Sequence, residues 1–171
     1  MNTPVNILVG RFQPFTLGHL KCCEQVLMSK GVPTILCAID TIKSDERHPF
    51  LTKLLWFSFK KLIKNYKEIE DILLIKKADL VYILNELEKR GYKVVSWSAG
   101  TDRIKKYSGC YQSKDYAQGI EFIEIPRNDD DISATEVREA IKQGDEQKFK
   151  KMTPPEFHSL YPKLKKTIDE I

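Results

Sequence analysis

Two short runs of this 171-residue chain combine the residue types that grip phosphate. The first is Gly10-Arg11-Phe12-Gln13-Pro14-Phe15-Thr16-Leu17-Gly18-His19. Arg11 carries a guanidinium that can hold phosphate oxygens with two parallel donors. Thr16 and His19 stand three apart, on one face of a helix that begins here. His19 can donate to a phosphate and stabilise the charge that builds up during transfer. Gly18 has no side chain to keep a ligand away from the backbone. The second run is Ile132-Ser133-Ala134-Thr135-Glu136-Val137-Arg138. Ser133 and Glu136 have the spacing of a capping box, and Thr135 and Arg138 are again three apart. Hydroxyls, unpaired amides and a guanidinium at a helix start describe a second anion grip. An acidic triplet, Asp129-Asp130-Asp131, precedes it. Solvated surface is one reading of the triplet; favouring the helix dipole or holding magnesium through water are others. No Ser/His/Asp or Cys/His nucleophile set is evident, and no Cys/His metal set, so the chemistry expected is phosphate handling without a protein-held metal.

The elements that must position these runs are legible from pattern. Val5-Asn6-Ile7-Leu8-Val9 is an apolar, branched run, as in a buried parallel strand. Gly10 breaks it, and Pro14 keeps the loop out of helical geometry up to Phe15. A helix follows from Thr16 to the stop at Gly31. Thr34–Ile39 reads as a second strand, ending in a polar stretch from Asp40 to His48. That stretch lies past a strand's carboxyl end, where open α/β sheets bind ligands, so Lys43 and Arg47 are candidate substrate contacts beside the plainer reading of a solvated loop. His48 reads as incidental. A helix over 50–66, a strand over 71–75, a helix capped by Asp79 and stopped at Gly91, and a strand over 93–97 come next. The last of these runs into Ser98-Ala99-Gly100-Thr101-Asp102-Arg103. Asp102 can cap a short helix to Tyr107, and Trp97 can stack on a base or fill the core. Residues 108–118 read as a polar, irregular excursion, either a flap or surface loop. Ile120–Ile125 alternates as a fifth strand, and the helix after Ser133 stops at Gly144. Strands alternating with helices predict one domain, residues 1–171, with a doubly wound parallel five-stranded sheet. Residues from about 145 to 171 read as a helical tail packed on the sheet edge or on a neighbouring subunit, which leaves room for a homo-oligomer.

Composition narrows the function classes. The chain is 42% hydrophobic and 30% charged, as soluble globular domains are. Lys+Arg is 28 and Asp+Glu is 24, a net charge of +4. That suits anionic small substrates and does not call for nucleic acid; no basic-aromatic repeat is present. No run is long enough to cross a bilayer, and no signal core follows the N-terminus. The four cysteines, Cys22, Cys23, Cys37 and Cys110, lack metal-binding spacing and read as reduced thiols of a cytoplasmic protein.

Gly10-Arg11-Phe12-Gln13-Pro14-Phe15 and Thr16-Leu17-Gly18-His19 resemble the signature of the nucleotidyltransferases with a His/Thr-x-Gly-His motif. The run is especially similar to that of archaeal-type nicotinamide mononucleotide adenylyltransferases. Ile132–Arg138 resembles the family's Ile-Ser-x-Thr-x-x-Arg motif, and Gly100-x-Asp102 an element that contacts the nucleotide's sugar and base. The Arg-Thr-x-Gly-Ile-Ser form of cytidylyltransferases is absent. The resemblance implies a Rossmann-like nucleotidyltransferase that moves AMP from ATP onto a phosphate-bearing acceptor and releases pyrophosphate. Nicotinamide mononucleotide is the acceptor it favours; pantetheine phosphate, flavin mononucleotide and sugar or alcohol phosphates stay open, as do cytidylyl transfer and a non-catalytic nucleotide-binding role. It implies His19, Thr16, Arg11 and Arg138 as catalytic residues. Gly10, Phe12, Gln13, Gly18, Gly100, Asp102, Ile132, Ser133 and Thr135 would bind the nucleotide, with Mg2+ carried on the ATP phosphates.

Overall fold

The computed structural model describes residues 2–126 and 132–171. Five strands, β1 (Thr3–Gly10), β2 (Thr34–Ile39), β3 (Ile69–Ile75), β4 (Tyr92–Gly100) and β5 (Glu121–Ile125), form one sheet in the order β3-β2-β1-β4-β5. Every neighbouring pair is parallel. The order reverses between β1 and β4, so the ends of those strands, Gly10 and Gly100, border the crevice where doubly wound sheets bind ligands.

Seven α-helices connect or follow the strands among the described residues: α1 (Leu17–Lys30), α2 (Thr52–Asn65), α3 (Leu80–Lys89), α4 (Thr101–Tyr111), α5 (Ala134–Lys142), α6 (Glu146–Met152) and α7 (Tyr161–Asp169). Two apolar cores lie on the two faces of the sheet. On one, Val5, Ile7, Val9, Ile35 and Trp97 meet Leu80, Ile83 and Leu87 of α3 and Ile104 and Tyr107 of α4. On the other, Leu8 and Leu36 meet Leu55, Phe59 and Leu62 of α2, and Val137 and Ile141 of α5. Alternation along β1 explains the division, since successive side chains point to opposite faces. Cys23 and Cys37 are buried with these cores, and burial pushes both thiols up.

A polar knot crosses the middle of the sheet. Asn6 is fully buried. Its amide donates to Thr34 Oγ1 at 3.1 Å and Ser98 Oγ at 2.8 Å, and its carbonyl oxygen accepts from Ser96 Oγ at 2.8 Å. Every polar atom of that side chain is thereby paired.

Two expectations change. The helix after Gly100 runs to Tyr111 instead of stopping at Tyr107, and a 3-10 turn occupies Asp115–Ala117, so 108–118 is largely structured. The cause is long-range: Tyr107 stacks on Trp97 with ring centroids 4.3 Å apart, and Tyr111 lies 5.7 Å from the same indole. The tail does not sit on the sheet edge. Phe149, Leu164 and Phe157, the last in a 3-10 helix over Pro155–Leu160, are fully buried in the core that holds Leu8 and Phe59. Among the described residues no helix is long and apolar enough to cross a membrane.

Candidate active site

The loop after β1 is held from inside. Phe12 has φ +50°, a left-handed conformation that costs a residue with a Cβ about 1 kcal/mol. Burial of its ring repays that cost. The ring is 4% exposed and meets His19 edge-on at 5.0 Å and Phe15 at 5.6 Å. Gln13 is also buried. Its Nε2 donates to the Phe50 carbonyl at 2.7 Å and to Thr41 Oγ1 at 3.3 Å, and its Oε1 accepts from the Phe50 N–H at 2.9 Å. The Gln13 amide thus fastens this loop to the loop after β2, and is not available to read a nucleotide. Arg11 reaches Thr41 Oγ1 at 3.4 Å and stays exposed.

Helix α1 opens on a reciprocal cap. Thr16 Oγ1 accepts from the His19 N–H at 3.3 Å, and His19 Nδ1 accepts from the Thr16 N–H at 3.0 Å. A neutral imidazole that accepts at Nδ1 carries its proton on Nε2, so His19 presents as a donor there. Thr16 is fully buried. Its role is to fix the His19 ring, which corrects the expectation that its hydroxyl meets phosphate.

Gly18 has a different use from the one the sequence suggests. A Cβ built on it would lie 2.5 Å from the Ile132 carbonyl oxygen. The missing side chain therefore admits the second run, and the two helix starts meet through this contact. At α5, Ser133 Oγ accepts from the Glu136 N–H at 3.1 Å. Arg138 donates from Nη1 to the Gln13 carbonyl at 2.8 Å and from Nη2 to Thr135 Oγ1 at 3.3 Å. Partial burial disfavours its charged form and lowers its pKa. The guanidinium of the second run is thus braced on the loop of the first. The Asp129-Asp130-Asp131 triplet lies outside the described residues.

Two adjoining cavities of about 790 and 800 Å3 open along the carboxyl ends of the strands. Arg11, Phe12, His19, His48, Arg103 and Thr135 line both. Gln13, Arg47 and Arg138 line only the first; Gly10, Gly18, Gly100, Ile132 and Ser133 only the second. The structure therefore brings together most residues the motifs point to. It leaves out four, of which Thr16 is the buried cap already described. Trp97 is fully buried beneath Tyr107, a core residue and not a stacking platform. Lys43 is exposed and Asp102 is exposed, and neither lines either of these two cavities.

Residues that sequence reasoning missed are Arg103, one position past Asp102, and His48. His48 donates its backbone N–H to Asp45 Oδ1 at 2.6 Å, and its Nδ1 lies 3.5 Å from that oxygen. Its pKa is lowered by burial and by the Arg11 and Arg138 guanidiniums, against the pull of Asp45. A histidine three residues after an aspartate in a polar loop carried no sequence signal of this placement. Glu46 and Glu139 are the carboxylates that line the first cavity among the described residues, and no trio of His, Cys, Asp or Glu could hold a metal ion there.

The profile of the cytidylyltransferase-like family matches residues 7–140. The chain belongs to that family and is a nucleotidyltransferase. Among solved structures, the nicotinic acid mononucleotide adenylyltransferase of Plasmodium falciparum, complexed with APC, is similar at TM-score 0.56 and 18% identity over 98% of this chain and 93% of that one. The same enzyme complexed with NaAD gives TM-score 0.59 at the same identity and coverage. At that identity the likeness is one of fold. No curated protein matches the sequence.

Proposed function

We propose that this nucleotidyltransferase moves the adenylyl group of ATP onto a phosphate-bearing acceptor, a pyridine mononucleotide of the nicotinamide mononucleotide type, with release of pyrophosphate. The observation that carries the reading is the contact of Gly18 with the Ile132 carbonyl. It sets two helix starts side by side, so amides, hydroxyls and guanidiniums from both ends of the motif-bearing chain face one crevice. The Plasmodium enzyme of the same fold is named for transfer to nicotinic acid mononucleotide, which supports an acceptor of this class.

In the proposed reaction an oxygen of the acceptor's phosphate attacks the α-phosphorus of ATP. The bond from that phosphorus to the bridging oxygen breaks, and pyrophosphate leaves with the electron pair. No covalent enzyme intermediate is required. The protein contributes position and charge stabilisation. His19 donates from Nε2 to the transferred phosphoryl, and Thr16 and Phe12 hold its ring. Arg11 and Arg138 grip phosphate oxygens, and Ser133 and Thr135 serve the β/γ end at the start of α5. A magnesium ion would be held through the ATP phosphates and supply charge neutralisation there; among the described residues no group of three His, Cys, Asp or Glu could hold it.

A pyrophosphate-release screen tests the reading. ATP and CTP are crossed with nicotinamide mononucleotide, nicotinic acid mononucleotide, pantetheine phosphate, flavin mononucleotide and glycerol phosphate. Release with ATP and a pyridine mononucleotide is expected. Release only with CTP, or only with another acceptor, would replace the reading. No release with any pair would favour a nucleotide-binding role without turnover.

A further inference from the structure

Helix α2 turns a basic and aromatic face outward. Over residues 49–67 the sequence holds Lys53, Lys60, Lys61, Lys64 and Lys67, and no Asp or Glu. The net charge of the chain is +4, so this segment carries the whole excess and the remainder is close to neutral. Helical spacing puts Lys53, Phe57, Lys60, Lys61 and Lys64 on one stripe, opposite the buried Leu55, Phe59 and Leu62. All of the stripe is exposed, and none of its lysines makes an ion pair among the described residues. Glu156 reaches the last turn of the helix, where it accepts from Asn65 Nδ2 at 2.8 Å. Phe57 is 70% exposed, with Lys61 Nζ 4.7 Å from its ring centroid, and Lys60 Nζ stands 5.2 Å from the ring centroid of Trp56. A second apolar tip adjoins the helix start. Ile42 is 81% exposed, and its neighbour Thr41 is tied to the first residue of α2, donating its N–H to Thr52 Oγ1 at 2.7 Å. Neither Ile42 nor any residue of the stripe lines either cavity, so this face is separate from the candidate active site.

Charge calls for an anionic partner, and the residue types decide its class. Protein interfaces are depleted in lysine and enriched in arginine. Nucleic acid is gripped by the arginine fork and by rings that stack on bases. The stripe holds no arginine, and Ile42 offers no ring face to a base. A bilayer surface asks for another combination: point charges among the headgroups and apolar side chains at the acyl boundary. A lysine spans the two, with its stem in the apolar zone and its ammonium in water. The 14 residues of α2 make a helix about 21 Å long, enough to lay the stripe flat on such a surface. No helix among the described residues is fit to cross a membrane, and the other face of α2 stays packed in the core, so contact here is peripheral. We infer that the outward stripe of α2, with Ile42 beside it, docks this protein on an anionic lipid bilayer.

Co-sedimentation with vesicles tests this, using phosphatidylcholine alone and phosphatidylcholine mixed with phosphatidylserine, across a salt series. Binding is expected to the serine-containing vesicles only, and it should fall as salt rises. K60Q/K61Q should weaken it about tenfold or more, since each lysine near such a surface contributes several-fold. F57S should weaken it as well. K163Q/K166Q removes the same charge from the exposed side of α7 and should leave binding largely intact. Every replaced side chain is exposed, and circular dichroism checks that each variant folds. Trp56 is half-buried and Trp97 fully buried, so a blue shift of tryptophan emission on the anionic vesicles would report contact at α2. Binding to neither vesicle, equal binding to both, or a loss in K60Q/K61Q no larger than in K163Q/K166Q overturns the inference. Binding of polyuridylate in place of vesicles overturns it too, and would assign the face to nucleic acid.

Discussion

His19 stands between two kinds of work. Its Nδ1 accepts from the backbone that opens α1, and its ring packs against Phe12 and Phe15 at 5.0 and 5.2 Å. A ring held on three sides presents its donor without reorganisation, and such donors are worth most in transferring charge. Replacing His19 with alanine is expected to lower turnover by about 10²-fold or more, as loss of one preorganised donor does. Turnover within a few-fold of wild type, in variant whose circular dichroism is unchanged, would remove His19 from the mechanism. His48 answers a different question. In the free protein it titrates below the ordinary 6.5, because burial and two guanidiniums disfavour its cation. Phosphates bound at Arg11 and Arg138 would neutralise part of that field. The cation then becomes less costly, so an ATP analogue is expected to raise the His48 pKa. An NMR titration of its ring proton, with and without a non-hydrolysable analogue, reads the shift. A pKa unmoved or lowered by the analogue would place the phosphates elsewhere.

At the scale of elements, the decisive contact is that between the starts of α1 and α5. Gly18→Ala would force a methyl group to 2.5 Å from the Ile132 carbonyl, a backbone atom that cannot swing aside. Overpacking of this kind costs about 1–3 kcal/mol, which in a domain of this size is roughly 2–4 °C of Tm per kcal/mol. The expected result is a lower Tm together with a raised KM for ATP, since the two grips no longer face one ligand. A KM unchanged beside a lowered Tm would separate the contact from binding. The sequence made both helix starts legible, because caps are local: Ser133 caps at the position its spacing predicts, while Thr16, read as part of the helix, proves to be its cap. It did not reveal why Gly18 is glycine, because the atom that requires it lies more than a hundred residues away in the chain. Gln13 is similar. Its type suggests a ligand contact, and only the fold places Thr41 and Phe50 against its amide. Trp97 failed as a platform for the same reason, since the Tyr107 that covers it belongs to a helix whose length depends on that stacking.

The whole molecule ties its last segment to its first motif. Phe157 lies 6.2 Å from Phe15 in a stacked pair and 5.4 Å from Phe59, so the C-terminal segment packs directly beneath the loop that carries His19. Phe157→Ala is expected to cost about 3–5 kcal/mol, the usual loss for a fully buried phenylalanine. Urea unfolding would measure it, and a change under 1 kcal/mol would show the tail to be separable. Periodicity foretold the tail's helices but not their location, because an amphipathic face does not say which surface it covers. The remaining feature of consequence is Asn6. Strand alternation protects a sheet against slipping by one residue, which would turn its apolar side outward. It offers no protection against slipping by two, which preserves every inside and outside. An amide that finds Thr34 on one neighbour and Ser96 and Ser98 on the other detects that second error, since a slip of β1 by two against β2 takes Thr34 away and leaves an amide proton unpaired in a dry interior. Asn6 thus measures out the alignment that brings Gly10 and Gly100 to the same rim, and a residue far from the chemistry keeps the two glycines level.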